Sequence, residues 1–139
     1  MNSQLYTLKN LKVSHMLKNY KPIIIVSGDP KSIFLEIFFK TLKKIKIKDP
    51  IILIVNKTIL VNQLKKLKFN YKINELKNTR LDIKEVKKNH INFIDVKFRT
   101  REVNKYIEKC FDIAIKLLRN NRNSRLINGP INKKNFLKK

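Results

Sequence analysis

The stretch Ile23–Phe38, IIIVSGDPKSIFLEIF, decides how the chain reads. Four β-branched residues, Ile23 to Val26, run unbroken into Ser27. A run of this kind predicts a first strand over Pro22–Ser27, buried on both faces of a parallel sheet. Gly28-Asp29-Pro30 then turns the chain. Phe34, Leu35, Phe38, Phe39 and Leu42 follow at helical spacing and predict a helix over 32–45. Strand, tight turn and helix is the arrangement by which many α/β proteins aim backbone N–H groups at a phosphate.

The same grammar repeats downstream. PIILIV, Pro50–Val55, predicts a second buried strand, and Leu60, Val61, Leu64 and Leu67 line one face of a helix over 58–67. A short strand is expected over 71–76, then a polar connection. INFIDVKF, Ile91–Phe98, reads as a strand in near-alternation. The strongest helix runs over 102–119, with a stripe of Val103, Tyr106, Ile107, Cys110, Phe111, Ala114, Leu117 and Leu118. After a polar break, Arg125–Asn128 predicts a short strand, and Gly129-Pro130 turns the chain into a helix from Lys133. Strands alternating with helices imply βαβ units, hence an α/β three-layer sandwich with a mostly parallel sheet. Residues 1–20 read as a leader, loose or briefly helical, and 21–139 as one α/β domain. The chain has only two glycines, Gly28 and Gly129. Each follows a strand and precedes a helix. Open α/β sheets bind ligands at the carboxyl ends of their strands, so both turns are candidates for a site.

Composition narrows the class. A length of 139 residues suits one modest domain, and a hydrophobic content of 42% excludes a disordered polyelectrolyte. The net charge of +23 has two readings. One is a basic module, without catalysis, that binds nucleic acid or another anionic partner. The other is compositional drift that fills the surface with lysine. Arginine occurs only at Arg80, Arg99, Arg101, Arg119, Arg122 and Arg125, while lysine is scattered over every segment, which favours drift. Nonspecific, salt-sensitive sticking to nucleic acid is expected on either reading. A single cysteine, Cys110, excludes an internal disulfide and a cysteine metal site, and its place on a helical stripe suits a buried thiol. His15 and His90 read as surface or half-buried histidines. The longest apolar runs are too short to span a bilayer, and residues 1–20 lack the apolar core of a secretory signal. A cytoplasmic location is expected.

Neither nucleotide fingerprint fits the first turn. A phosphate loop of the Walker type needs glycine before Lys31-Ser32, where Pro30 stands, and another glycine where Ile25 stands. A dinucleotide fingerprint needs a second glycine after Gly28. A different pattern fits both turns together. IIIVSGDPKSIFLEIFFK resembles the N-terminal signature of the 4-hydroxythreonine-4-phosphate dehydrogenase family. LINGPINKKNF, Leu126–Phe136, resembles that family's second signature. Gly28, Asp29, Pro30 and Glu36 match the first motif; Gly129, Pro130, Ile131, Asn132 and Lys133 match the second. The family usually continues Gly-Asp-Pro with Ala-Gly-Ile-Gly-Pro-Glu, whereas this chain has Lys31-Ser32-Ile33-Phe34-Leu35-Glu36.

The resemblance implies an NAD-dependent oxidation assisted by a divalent metal (Zn, Mg or Co). Its substrate is a phosphorylated hydroxy amino acid, 4-phosphooxy-threonine, in vitamin B6 synthesis, and the enzyme is a homodimer. It implies substrate contacts at Gly28, Asp29, Pro30, Gly129, Pro130, Asn132 and Lys133. Family members are more than twice this length, with metal-binding histidines downstream of the second motif. His15 and His90 precede that motif and do not carry over as ligands. The expectation is therefore the N-terminal portion of such an enzyme, with no catalytic or metal residue of its own and exposed apolar sheet edges. Each motif residue also has a plainer reading. Asp29 before Pro30 shapes a turn. Glu36 complements a helix dipole. Asn132 caps a helix, and Gly28 and Gly129 serve backbone geometry. Lys133 stands where a helix start disfavours positive charge, which hints at an anionic neighbour.

Overall fold

The computed structural model describes residues 21–137 apart from positions 78 and 83. The expected leader, with His15, lies outside the described residues. Among the described residues five strands and four helices follow in order: β1 Ile23–Val26, α1 Phe34–Lys44, β2 Ile51–Val55, α2 Lys57–Lys66, β3 Lys72–Glu75, β4 His90–Asp95, α3 Val103–Asn120, β5 Arg125–Asn128 and α4 Lys133–Phe136. The strands form one sheet in the order β3-β4-β2-β1-β5, and every pairing is parallel. The expected α/β sandwich is what the chain adopts, with the sheet wholly parallel.

The two sheet faces carry separate cores because successive strand residues point to opposite sides. On one face Ile24, Val26, Ile52, Ile54 and Ile94 meet Tyr106, Ile107, Cys110, Ala114 and Leu117 of α3. On the other, Ile25, Leu53, Val55 and Phe93 meet Leu35, Phe38 and Phe39 of α1 and Leu60 and Leu64 of α2. Each fully buried side chain of this size contributes about 1.5–3 kcal/mol, so both layers are needed to hold the sheet. Ala114 is fully buried where α3 crosses the sheet, and its small side chain permits close approach. Of the stripe expected on this helix, Tyr106, Ile107, Cys110, Ala114 and Leu117 are buried, and Val103, Phe111 and Leu118 are partly buried against the same core.

Two connections are fixed by polar contacts. Asn56, between β2 and α2, accepts from the Ile59 N–H and donates to the Val96 carbonyl, so it caps α2 and ties it to the end of β4. Asn92 is buried on β4. Its Oδ1 accepts from Asn74 and from the Lys87 N–H, and its Nδ2 donates to the Lys87 carbonyl. This pins the connection before β4 to the sheet. His90 belongs to the same corner: its Nδ1 lies 2.9 Å from the Lys88 carbonyl.

The sheet is unevenly covered. All four residues of β5 are exposed, including Leu126 at 38% and Ile127 at 49%. β5 is an edge strand paired only with β1, so apolar surface stays open on both of its faces. The expected open edge is present.

Candidate functional site

The two glycine turns meet. β1 and β5 are neighbours, and their ladder continues past the strand ends. The Gly129 N–H donates to the Val26 carbonyl at 2.7 Å, and the Asp29 N–H donates to the Pro130 carbonyl at 2.8 Å. A Cβ on Gly28 would stand 2.5 Å from the Pro130 oxygen, and one on Gly129 would fall on the Ser27 carbonyl. Gly28 also has φ +75, in the left-handed region. Both glycines are thus required by the close approach of one turn to the other.

The first turn is self-contained. Asp29 Oδ1 accepts from the Lys31 N–H at 2.8 Å, and the Asp29 carbonyl accepts from Ser32 at 3.0 Å. Pro30 has no N–H to offer. The N–H groups that a phosphate loop would aim outward at 29, 31 and 32 are therefore bonded within the protein. This is the turn chemistry that Asp before Pro permits. α1 then begins without a side-chain cap. Glu36, in its first turn, pairs with Lys40 at 2.6 Å, and that ammonium holds its carboxyl below the ordinary glutamate range.

The second turn leads into α4, a single turn of helix in which the Asn132 carbonyl accepts from the Phe136 N–H. Asn132 and Lys133 are exposed there. A helix this short gives Lys133 little dipole to oppose. Phe34 packs against the Gly129 backbone, so the start of α1 and the second turn form one surface.

Beneath the turns lies a polar cluster that the sequence reading passed over. Tyr106 of α3 is 2% exposed, and its hydroxyl accepts from the Asn56 N–H at 3.0 Å. The Ser27 hydroxyl lies 3.5 Å away. Burial raises the Tyr106 phenol well above its ordinary value. Burial likewise pushes the Cys110 thiol, one helical turn on, up to about 12. These groups stay protonated and tie β1, β2 and α3 together. Tyr106 looked like a core residue on a helical stripe; the signal that it does more was its hydroxyl on an otherwise apolar face. At the neighbouring strand ends Asp95 accepts from the Lys57 N–H at 2.7 Å, a carboxylate at a helix start, and Lys57 pairs with Glu75.

Cys110 and Tyr106 are held neutral, and His90 sits at the amino end of β4, the far end from the glycine turns. Among the described residues no three His, Cys, Asp or Glu side chains come together as a metal site. The first turn also offers no open cradle for a dinucleotide, because the Pro130 carbonyl fills the space above Gly28. These residues therefore do not by themselves fit a metal or NAD. Among the described residues no helix is long and apolar enough to cross a membrane.

No protein-family model matches the chain, and no curated protein matches it. Solved structures do. A 4-hydroxythreonine-4-phosphate dehydrogenase from Burkholderia phymatum superposes with a TM-score of 0.67 at 15% identity, over 83% of this chain and 38% of that one. A Salmonella typhimurium protein put forward as the same enzyme gives 0.64 at 18% identity, over 82% and 39%. The chain thus spans about two-fifths of the length of these structures. At this identity the likeness is one of fold: the chain is folded like part of a 4-hydroxythreonine-4-phosphate dehydrogenase.

Proposed function

We propose that this chain is the N-terminal portion of an NAD- and metal-dependent dehydrogenase. The substrate would be a phosphorylated hydroxy amino acid, 4-phosphooxy-threonine, and the pathway vitamin B6 synthesis in the cytoplasm. The observation that carries the reading is the joining of the two motif turns. Gly28-Asp29-Pro30 and Gly129-Pro130, a hundred residues apart, are bonded into one surface at the carboxyl end of the sheet. Open parallel sheets place ligands at that end. The likeness of fold to solved dehydrogenases supports it independently.

In this reading the residues divide by role. Gly28, Pro30, Gly129 and Pro130 shape the paired turns, and Asp29 holds the first in register. Asn132 and Lys133 present an amide and an ammonium to the substrate's anionic groups. The metal and NAD are held by other polypeptide, a homodimer partner included, because the described residues do not fit them. The chain alone is therefore a binding half without turnover.

The test compares the native polypeptide from the source with the 139-residue chain. Both receive 4-phosphooxy-threonine, NAD and a divalent metal, and NADH absorbance is followed. The native polypeptide should have more than twice the 16.6 kDa of this chain and should reduce NAD. The chain alone should not. Turnover by the chain alone, or a native polypeptide that leaves NAD oxidised, would overturn the reading.

A further inference from the structure

The end of the molecule opposite the glycine turns has a character of its own. In an all-parallel sheet every crossover helix runs back, so helix ends and strand starts gather at one end. Three helix-to-strand connections meet there, at 43–50, 65–72 and 119–125. They hold eleven Lys and Arg and one carboxylate, Asp49, a net +10 of the chain's +23. Asp49 is itself engaged by Arg125 and by the Lys21 N–H. Lysines in the last turns of α1 and α2 are what a helix dipole favours. Lys46, Lys48, Lys68 and Lys72 lie beyond those turns, and all are exposed. Drift toward lysine explains the total charge; it does not explain this concentration.

A groove opens at the same end, between α2 and the start of β3. Its volume is about 310 Å³. Leu64 and Ile73 form an apolar floor, the Phe69 and Tyr71 rings line it, and Lys65 and Lys68 stand at its rim. The rings are braced from behind: Tyr71 stacks on buried Phe39, and Phe69 meets both edge-on. One residue is kept there against backbone preference. Lys68 has φ 53, and the Phe69 N–H to Leu64 carbonyl and Lys68 N–H to Lys65 carbonyl bonds close α2 in the manner that glycine normally serves.

We propose that this end binds single-stranded nucleic acid. Bases enter the groove against Tyr71, beside the Phe69 ring over which the Lys43 ammonium lies at 3.9 Å, and the backbone phosphates lie on Lys65, Lys68 and Lys72. Aromatic platforms within a cationic track are how single strands are held without sequence readout. The apolar surface is a recess, which a splayed base can enter and a flat membrane cannot.

The test is fluorescence anisotropy with a labelled oligo-dT, from 50 to 300 mM salt, on the full chain. Lys65→Gln with Lys68→Gln should weaken binding roughly tenfold and flatten the log–log salt slope by about 1.4, the value for two phosphate contacts on a single strand. Lys97→Gln with Arg101→Gln, the same charge change beyond β4 at the other end, should shift affinity less than about twofold. Tyr71→Leu should remove the preference for single strand over duplex. Lys68→Gly guards against misfolding as the cause: it should raise the urea midpoint and still weaken binding. Equal losses from both double variants would reduce the effect to net charge and overturn the proposal. So would binding to anionic vesicles with none to the oligonucleotide.

Discussion

At Gly28 and Gly129 the missing side chains carry the architecture. Each Cα faces a carbonyl of the opposite turn, and no rotamer can relieve a Cβ placed against backbone. Gly28→Ala is expected to cost about 2–4 kcal/mol, from the φ of +75 together with the contact to Pro130. Gly129→Ala should cost at least as much. Urea unfolding followed by circular dichroism measures both, and a loss under about 0.5 kcal/mol at either would show that the turns can separate. Cys110 gives a second prediction at this scale. Its thiol is pushed up to about 12 from an ordinary 9.0 by burial. Below pH 9 both folded and unfolded chains keep the proton. Above it the unfolded chain releases the proton while the folded chain holds it, so stability falls as pH rises, by about 1.4 kcal/mol per unit. Cys110→Ala should remove this slope between pH 9 and 10 when urea midpoints are compared with the parent, and leave the slope that the buried Tyr106 phenol adds above pH 10. A thiol reagent at pH 8 should label the protein only in urea. Rapid labelling of the folded chain would contradict the burial.

Among the elements, α2 shows what a single cap can join. Asn56 closes its start through Ile59, donates its side-chain amide to the Val96 carbonyl after β4, and donates its backbone N–H to the Tyr106 hydroxyl. Asn56→Ala should lose about 2 kcal/mol, a cap and one further hydrogen bond. Asn56→Asp keeps the cap and lacks the donor to Val96, so thermal melts should place it between Ala and the parent. An Asp variant as unstable as Ala would mean that the bond to Val96, not the cap, matters. The elements were legible because their periods were clean. IIIV and PIILIV could only be buried strands, and the α3 stripe named its buried face in advance. Boundaries moved by one to three residues, as at β4, which was expected over 91–98 and runs from His90 to Asp95; just past its end the Val96 carbonyl accepts the Asn56 amide. The pairing of the glycine turns followed from the motifs only as two candidates at one edge. Their contact depends on β5 returning beside β1, which spacing cannot reveal. Tyr106 and Asn56 escaped for the same reason: a hydroxyl 50 residues from its donor leaves no local pattern. Asp29, read from sequence as shaping a turn, bonds the Lys31 N–H in that way; Glu36 stands in the first turn of α1 as read, but its bond is to Lys40, which the sequence reading did not name.

For the whole molecule, the question is how a parallel sheet tolerates one uncovered strand. Parallel sheets are normally buried on both faces, and β1, β2 and β4 obey this. β5 does not: Leu126 and Ile127 face outward on opposite sides, beside their buried register partners Ile24 and Ile25. The pair Ile25 and Ile127 makes a controlled comparison, since both are isoleucines on the same face of adjacent strands and differ in cover. Ile25 is 5% exposed and Ile127 is 49% exposed. Threonine keeps the branched Cβ and the strand propensity, so exchanging each for Thr isolates burial. Ile25→Thr should cost about 2–3 kcal/mol, through lost packing and a hydroxyl without a partner. Ile127→Thr should stay within about 0.5 kcal/mol. Urea unfolding at two protein concentrations distinguishes the outcomes. If Ile127→Thr costs as much as Ile25→Thr and the cost grows with concentration, the face of β5 is covered in solution by a second copy. If the cost is small at both concentrations, the sheet is held by its three covered strands, β1, β2 and β4, and β5 is retained chiefly by its ladder to β1 and by the bonded turns beyond it.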